Sequence, residues 1–547
     1  MSFKNQTGRA PELFPVNIFD RIPRDHPVRL VEMVVDQLDI SDIIARYKGG
    51  GNSAYHPRMM VKVLFYSYLS NIYSCRKIAK ALHENIHFMF LAGNSTPDFR
   101  TINDFRGKIL KDSIQRLFAE VVRLLVDMGH VSLDIQYVDG TKIESKANRY
   151  TFVWKGSVEK NRDRLEKKIA KVLLDIEAGI LSDGQAASSE ECPQKIDSEL
   201  LREKLSAINK KLKEPTKAQL RELRRLQDEH LPRLEKYEGH LRELGGRKSF
   251  SKTDPDATFM RLKDDHMHNG QLKPAYNAQI STENQFITHA SIHQTPGDTT
   301  TLKSHLDRFE ENYGRQSKVL VADAGYGSHE NYEMLESREI ESYVKYNYFH
   351  SEGRRKVRNN PFAVQNLYYS AEGDFYVCPM GQRMEVVGES TRVTDNGFES
   401  QITHYQAKRC EGCPLRGSCH RASGNREIQV SHRLNQLRAK AKELLESEEG
   451  LKHRSKRPVE VEAAFGQLKS NNRFNRFTFR GLEKVTMEFL LMALGHNLRK
   501  MASLVRNAPG SPFNQLKNAL KGICGDLSWC SAKAVTYSFT YKDLQLR

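Results

Sequence analysis

The chain has 547 residues, enough for several domains, and its 85 Lys and Arg against 68 Asp and Glu leave a formal net charge of +17. No apolar run reaches the roughly 18 residues that cross a bilayer, which excludes a helical membrane channel or carrier, and the N-terminus MSFKNQTGRAPELF has no apolar signal region. The expectation is a cytoplasmic, nucleoid-associated protein whose positive excess serves an anionic partner, nucleic acid first; a merely well-solvated surface is the alternative.

Residues 1–130 read as an N-terminal helical domain. MVKVLFYSYLSNI and SCRKIAKALHENIHFMFLAG carry apolar residues at helical spacing, with Ser74 placed to cap the second. After the turn STPD a long amphipathic helix runs through FRTINDFRGKILKDSIQRLFAEVVRLLVDMG. Helix, short turn and helix with Arg76, Lys77, Arg100 and Arg106 suit a helix-turn-helix on DNA, and equally an ordinary bundle with surface charges. Residues 131–157 turn strand-like, and that strand closes on Asp139-Gly140. Residues 158–250 change character. Leu165, Ile169, Val172 and Ile176, then Leu201, Leu205, Ile208 and Leu212, form heptad-like stripes on either side of the polar linker SDGQAASSEECPQK (182–195). They predict a coiled-coil-like helical hairpin inserted into the domain around it, for packing or pairing rather than catalysis.

Over residues 251–350 the strands return. PAYNAQI and QFITHASI flank STEN as a β-hairpin. TLKSHLDRFEENYG is a helix, KVLVADAGYG a strand ending in Asp323, SHENYEMLES a helix and SYVKYN a short strand. This order predicts a mixed α/β sheet. Residues 351–430 hold a cysteine cluster among turn residues. Residues 431–505 carry the helices LNQLRAKAKELLESEEG, RPVEVEAAFGQLKS with Pro458 in its first turn, and the buried-looking GLEKVTMEFLLMALGHNLRKMASLV. The tail, 506–547, has little pattern.

Two aspartates, Asp139 and Asp323, each end a strand beside a glycine, where an open sheet collects its functional groups. Metal-dependent phosphodiester chemistry calls for a third acidic ligand, because Mg²⁺ prefers oxygen donors. Glu462 is the best candidate: Lys469 follows it by seven residues and shares its helix face. Glu460 is the rival and points to a different face. Asp134, Asp254, Asp256 and Asp264 are weaker acidic candidates. Between 452 and 480 there are eight Lys and Arg against two Glu, and Phe474, Phe477 and Phe479 interleave with Arg473, Arg476 and Arg480. Such a segment can hold a phosphate backbone and stack bases.

Three stretches, YVDGTKIESKANRYTFVWKG, VADAGYGSHENYEML and RPVEVEAAFGQLKSNNRFNRFTFRGLEKV followed by LMALGHNLRKM, resemble the DDE-type transposases of bacterial insertion sequences. KPAYNAQISTENQFI resembles the hairpin of their core, and the likeness covers most of residues 10–505. It implies a ribonuclease-H-like mixed-sheet α/β core, with an N-terminal helical domain, an inserted helical hairpin and a Cys-bearing insert. It also implies Asp139, Asp323 and Glu462 as catalytic and metal-binding residues, with Mg²⁺ or Mn²⁺, two per site. Lys469 matches the family's lysine, and Arg457 sits where the family often has a basic residue, without the tyrosine that precedes it in some relatives. Arg457, Lys469, Arg473, Arg476, Arg480, Arg76, Lys77 and Arg100 are the expected DNA contacts.

Of eight cysteines, Cys378, Cys410, Cys413 and Cys419 are expected to form a structural zinc site on a Cys-x2-Cys knuckle, with His420 as a weaker substitute ligand; reduced, buried thiols are the alternative. Cys75, Cys192, Cys524 and Cys530 do not cluster. The expected function is binding of element ends in double-stranded DNA, metal-dependent cleavage and strand transfer to target DNA. A homodimer or larger assembly would do this, with the helical insert as one candidate contact. The alternatives are a structure-specific nuclease of the same fold and an inactive DNA-binding descendant.

Overall fold

A computed structural model describes residues 17–47, 53–182, 196–211, 216–262 and 270–507. Most of the polar linker 182–195, Cys192, Leu212, Asp264, Cys524, Cys530 and the tail from 508 lie outside them. The chain divides into two compact units, the described parts of Met1–Leu133 with Ala493–Arg547, and Asp134–Met492. No helix among the described residues is long and apolar enough to cross a membrane.

The first unit is helical. Helix Pro57–Leu69 is buried along nearly its whole length, and His56 caps it by accepting from the Arg58 N–H at 3.2 Å. Helix Cys75–Glu84 buries Ile78, Ala81 and Leu82, and leaves Arg76 and Lys77 exposed. Ser74 stands at its N-cap without a side-chain capping bond. The long helix expected after STPD is broken. Asp98 caps a short helix, Phe99–Asp104, which passes through a wide turn at Phe105–Ile109 and a tight one at Leu110–Asp112 before Ile114–Asp127. The break turns Arg106 inward. Its Nη1 donates to the Tyr68 hydroxyl at 2.7 Å and to the Tyr73 carbonyl at 3.0 Å. Arg106 is 3% exposed and is a core residue, not a DNA contact.

The second unit carries thirteen described strands. The first eight are β1 (Ile135–Glu144), β2 (Phe152–Trp154), β3 (Ser249–Ser251), β4 (Thr258–Arg261), β5 (Leu272–Glu283), β6 (Phe286–His293), β7 (Val319–Ala322) and β8 (Glu341–Val344). Six of them form one mixed sheet in the order β4-β5-β1-β7-β8, with β6 also on β5. β1 runs antiparallel to β5 and parallel to β7, and β7 is parallel to β8. The β5–β6 hairpin turns at Asn284-Gln285, both at positive φ (50° and 60°), which matches the twist of the paired strands. β1 does not stop at Asp139-Gly140 but continues to Glu144, because β5 pairs with it as far as Ala275.

Helices cover both faces of this sheet. Leu302, Leu306, Tyr326 and Leu335 pack on the side of Val138, Leu320 and Ala322. Leu445 and Val461 pack on the side of Tyr137, Val321 and Tyr343. The helix holding Val461 starts earlier than expected: Glu448–Arg457 leads without a break into Pro458–Glu462. Pro458 therefore lies inside a helix. It has no N–H to give, and the chain accommodates this with a wide i→i+5 turn.

The helical block between β2 and β3 is more than a hairpin. Lys155–Ser182, Ser198–Lys211, Lys217–Arg225 and Leu231–Leu244 enclose a core of Leu165, Ile169, Leu173, Ile176, Leu201, Leu205, Ile208, Leu223, Leu226 and Leu234. The stripes are consumed inside the block, with Leu173 rather than Val172 at the centre. A second sheet, unexpected from the sequence, holds β9 (Tyr368–Ser370), β10 (Phe375–Val377), β11 (Arg383–Val393), β12 (Glu399–Ala407) and β13 (Glu427–Val430), antiparallel and in sequential order. Its small core is Tyr376, Met384, Tyr405, Ala407, Cys410, Ile428 and Val430.

Candidate active site

Strand register brings the two aspartates together. β1 and β7 pair in parallel, and Tyr137 faces Val321 in their last pair. Two residues further on, that register sets Asp139 beside Asp323. The two-residue period puts both on the face of Tyr137 and Val321, which the helix 448–471 covers. Gly140 falls opposite Gln279 of β5. A Cβ there would collide with the Gln279 amide and come within 2.8 Å of Asp298 Oδ1, so glycine is required for this close approach.

The helix supplies the third carboxylate and a cation. Arg457 Nη2 lies 3.2 Å from Asp139 Oδ2 and 3.8 Å from Asp323 Oδ2, and its Nη1 lies 3.7 Å from Glu462 Oε1. Three carboxylates from distant parts of the chain thus reach one guanidinium whose side chain is only 8% exposed. Nε and Nη2 are buried without a hydrogen bond, so Nη2 meets the two aspartates by ion pairing. The two glutamates separate cleanly. Glu462 is 61% exposed beside the aspartates. Glu460 is 2% exposed, accepts from the Gln285 N–H at 2.6 Å and pairs with Lys456 at 3.6 Å, so it fastens the β5–β6 turn to the helix.

The donors are all hard oxygens, a set that fits Mg²⁺ or Mn²⁺. In this arrangement they meet Arg457 rather than one another, and no group of three or more His, Cys, Asp or Glu side chains among the described residues is drawn close enough to hold a metal. Asp254 accepts from the Tyr276 hydroxyl at 2.9 Å and from Gly481 N–H at 3.0 Å, and Asp256 accepts from Leu482 N–H at 2.7 Å. Asp134 pairs with Arg315 and Lys318. These three hold the fold.

Two neighbours escaped the sequence reading. Lys345, directly after β8, has its ammonium pKa lowered by burial and by Arg457, with Asp323 and Glu462 opposing. The Tyr326 hydroxyl is buried, and its pKa is raised well above 10 by burial, then by Asp298, Asp139 and Asp323. Neither carries a local motif; VKYN and AGYG become informative only once the strand ends are adjacent.

The basic segment after the glutamate is anchored to the end of β1. Lys469 Nζ donates to the Lys142 carbonyl at 3.3 Å, Arg476 to those of Ser145 and Ala147 at 3.1 Å, and Arg480 to that of Lys146 at 3.2 Å. Arg473, Arg476 and Arg480 remain exposed. Phe474 and Phe477 do not form a stacking platform: both are 2% exposed and meet edge to face at 5.3 Å. They pin the segment so that the arginines point outward. In the helical unit, Arg76 and Arg100 both lie over the Phe99 ring, at 5.1 and 5.7 Å.

Cys378, Cys410, Cys413 and Cys419 line one small pocket with His420 and Arg426. All four are free thiols. Arg426 Nη1 donates to Cys419 Sγ at 3.0 Å, and its backbone N–H to Cys410 Sγ at 3.3 Å. The sulfurs suit zinc chemically, yet they are not gathered to the distance a metal requires.

A family model described as a transposase DDE domain matches residues 377–502, and one described as a transposase domain (DUF772) matches residues 16–108. The chain belongs to the DDE transposases of insertion sequences. No curated protein matches it. In this transposase the first match spans Arg457, Glu462, Lys469, the four clustered cysteines and strands β11 to β13, and the second spans Arg76, Lys77 and Arg100. Asp139 and Asp323 fall outside both matches.

Proposed function

We propose that this transposase binds the ends of its insertion sequence, cleaves DNA there and joins the ends to target DNA, with Asp139, Asp323 and Glu462 as the catalytic carboxylates of a ribonuclease-H-like core. One observation carries the reading: three carboxylates, far apart in the chain, reach a single buried guanidinium at the ends of adjacent parallel strands. The sheet order, with one hairpin and three mutually parallel strands, agrees with such a core.

Asp139, Asp323 and Glu462 would hold Mg²⁺ or Mn²⁺, two ions per site, whose chemistry is to activate a water or a 3′-hydroxyl and to neutralise the leaving 3′-oxygen. Arg457 keeps the carboxylates from repelling one another and, with Lys345, presents positive charge to the scissile phosphate. Lys469 steadies the end of β1. Arg473, Arg476 and Arg480 hold the flanking backbone, and exposed Arg76, Lys77 and Arg100 of the N-terminal helical domain hold the element end. No Ser or Tyr nucleophile is needed, because the attacking group belongs to water or DNA. The cysteine insert, 351–430, is a structural module that zinc would draw together. A dimer or larger assembly would bring two ends together; the helical block 158–250 would take part through its polar outer surface, since its apolar stripes are buried.

The test uses labelled duplexes carrying the element's ends, with Mg²⁺ or Mn²⁺. Wild type should cut at the ends and join them to target, while Asp139→Asn, Asp323→Asn and Glu462→Gln bind and do neither. Cleavage without joining would identify a structure-specific nuclease. Binding without cleavage in wild type would identify an inactive descendant.

A further inference from the structure

Asp298 lies in the loop HQTPGDTT between β6 and the helix Leu302–Tyr313. Its Oδ1 accepts from Asn277 Nδ2 at 2.8 Å and from Gln279 Nε2 at 3.0 Å. Asn277 and Gln279 are alternate residues of β5, both fully buried, so β5 aims two carboxamides at one acceptor. Gln279 in turn accepts from the Tyr326 hydroxyl. These bonds occupy polar groups that would otherwise be buried unpaired, which fixes the position of the Asp298 carboxylate.

That position is beside Gly140 and Gly325, close neighbours in the chain of Asp139 and Asp323. A Cβ on Gly140, next to Asp139, would stand 2.8 Å from Asp298 Oδ1. A Cβ on Gly325 would stand 3.7 Å from Asp298 Oδ2 and 3.0 Å from Asp323 Oδ1. The adjoining Thr299 hydroxyl donates to the Gly325 carbonyl at 2.8 Å, and Asn331 Nδ2 bridges the Thr299 and Tyr326 carbonyls at 2.9 and 2.8 Å. Gly140 faces away from the helix that bears Glu462, so Asp298 braces both strand ends from the opposite side of the sheet.

On the reading of Asp139, Asp323 and Glu462 as the catalytic carboxylates, we propose that Asp298 is a positioning residue of the transposase site. It accepts from Asn277 and Gln279 and, through Gly140 and the Thr299–Gly325 tie, sets the spacing of Asp139 and Asp323 for divalent cations. Its contribution is that of an acceptor at a fixed place, and it touches neither DNA nor metal.

The experiment compares Asp298→Ala and Asp298→Asn in the full chain. Asp298→Ala should slow single-turnover cleavage of pre-bound element ends about 10- to 100-fold and raise the Mg²⁺ concentration for half-maximal rate, with end affinity unchanged and the melting temperature lowered, because Asn277 and Gln279 lose their acceptor. Asp298→Asn keeps an oxygen for both donors and should stay within about threefold of wild type. Wild-type rate and Mg²⁺ dependence in Asp298→Ala would overturn the proposal, as would Asp298→Asn as slow as Asp298→Ala. Should Asp298→Ala fail to fold, Thr299→Val cuts only the tie to Gly325. Slower cleavage there supports the proposal, and an unchanged rate overturns it. If wild type binds ends and never cleaves, the catalytic reading has failed by itself. Mn²⁺ titration followed by electron paramagnetic resonance, without DNA, then decides the role of Asp298. Binding weakened in Asp298→Ala and kept in Asp298→Asn supports it, and equal binding in all three overturns it.

Discussion

The two sheets of the larger unit solve opposite problems. In the six-stranded sheet, β5 is buried from Pro274 to Glu283, and even its polar residues Asn277, Gln279, Ser281 and Thr282 are almost or fully enclosed. In the five-stranded sheet, β11 is exposed at every position but Met384. Buried polar side chains must find partners, and in finding them they fix neighbouring groups to within a hydrogen bond. The first sheet can therefore hold three carboxylates on one guanidinium. The second, with a thin core on one side, offers a surface and a loop-rich cysteine pocket instead.

Changes at the carboxylates should break this comparison most visibly. Asp323→Asn should lower end cleavage by about 10³-fold or more, since charge stabilisation at such sites amounts to several kcal/mol. Val387→Ser on β11, 56% exposed, should leave cleavage unaltered. Equal losses in a gel-based cleavage assay would erase the distinction.

Arg457→Ala comes next. It leaves three carboxylates facing one another without their cation, and should cost roughly 2 kcal/mol of stability in chelator, less than a fully buried pair because Glu462 and Asp323 are partly exposed. Mg²⁺ should restore much of it. Melting curves with and without Mg²⁺ measure both numbers, and equal losses in the two conditions would separate Arg457 from the carboxylates.

Of the two sheets, the first should carry the pH effect between pH 7 and pH 5. His289 and His293 lie on β6, and His305 on the helix packed against it, in a network with Ser281 and Ser291. Burial lowers all three: His289 to about 3, His293 to about 4, and His305 well below its ordinary value, with Arg308 and the neighbouring histidines adding to the effect. In the unfolded chain they take protons near pH 6.5. Below that pH the unfolded state binds more protons than the folded one, so stability falls as pH drops from about 6.5 toward 4. Urea midpoints at pH 7 and pH 5 should show the loss, and His293→Gln should shrink it.

The smallest effect belongs to the cysteine pocket. Cys413→Ser should lower the melting temperature by an amount worth roughly 1 kcal/mol if the thiols act only as packed groups, and considerably more if they hold zinc. Elemental analysis of the purified protein separates the two cases.

Local pattern alone determined a good deal of this molecule. The β5–β6 hairpin, the strand VLVA, the helices around 302–313 and 329–337 and the core character of MEFLLMALGHNL follow from periodicity and turn residues, because each element's burial is written in its own sequence. The family was legible for a related reason: its motifs are short and contiguous. The five-stranded sheet was not, because β11 buries one residue and shows no alternation. Tertiary structure alone decided the rest. Arg106 and Phe477 look like DNA contacts in one dimension and are core residues in three. Glu460 is buried on the β5–β6 turn while Glu462 is exposed beside the aspartates, a role for Glu460 that the helix spacing does not show. Lys345, Tyr326 and Asp298 join the site solely because parallel pairing of β1 with β7 brings residues 139 and 323 side by side. Pairing between distant strands leaves no signature in either strand, and it is this pairing that builds the site.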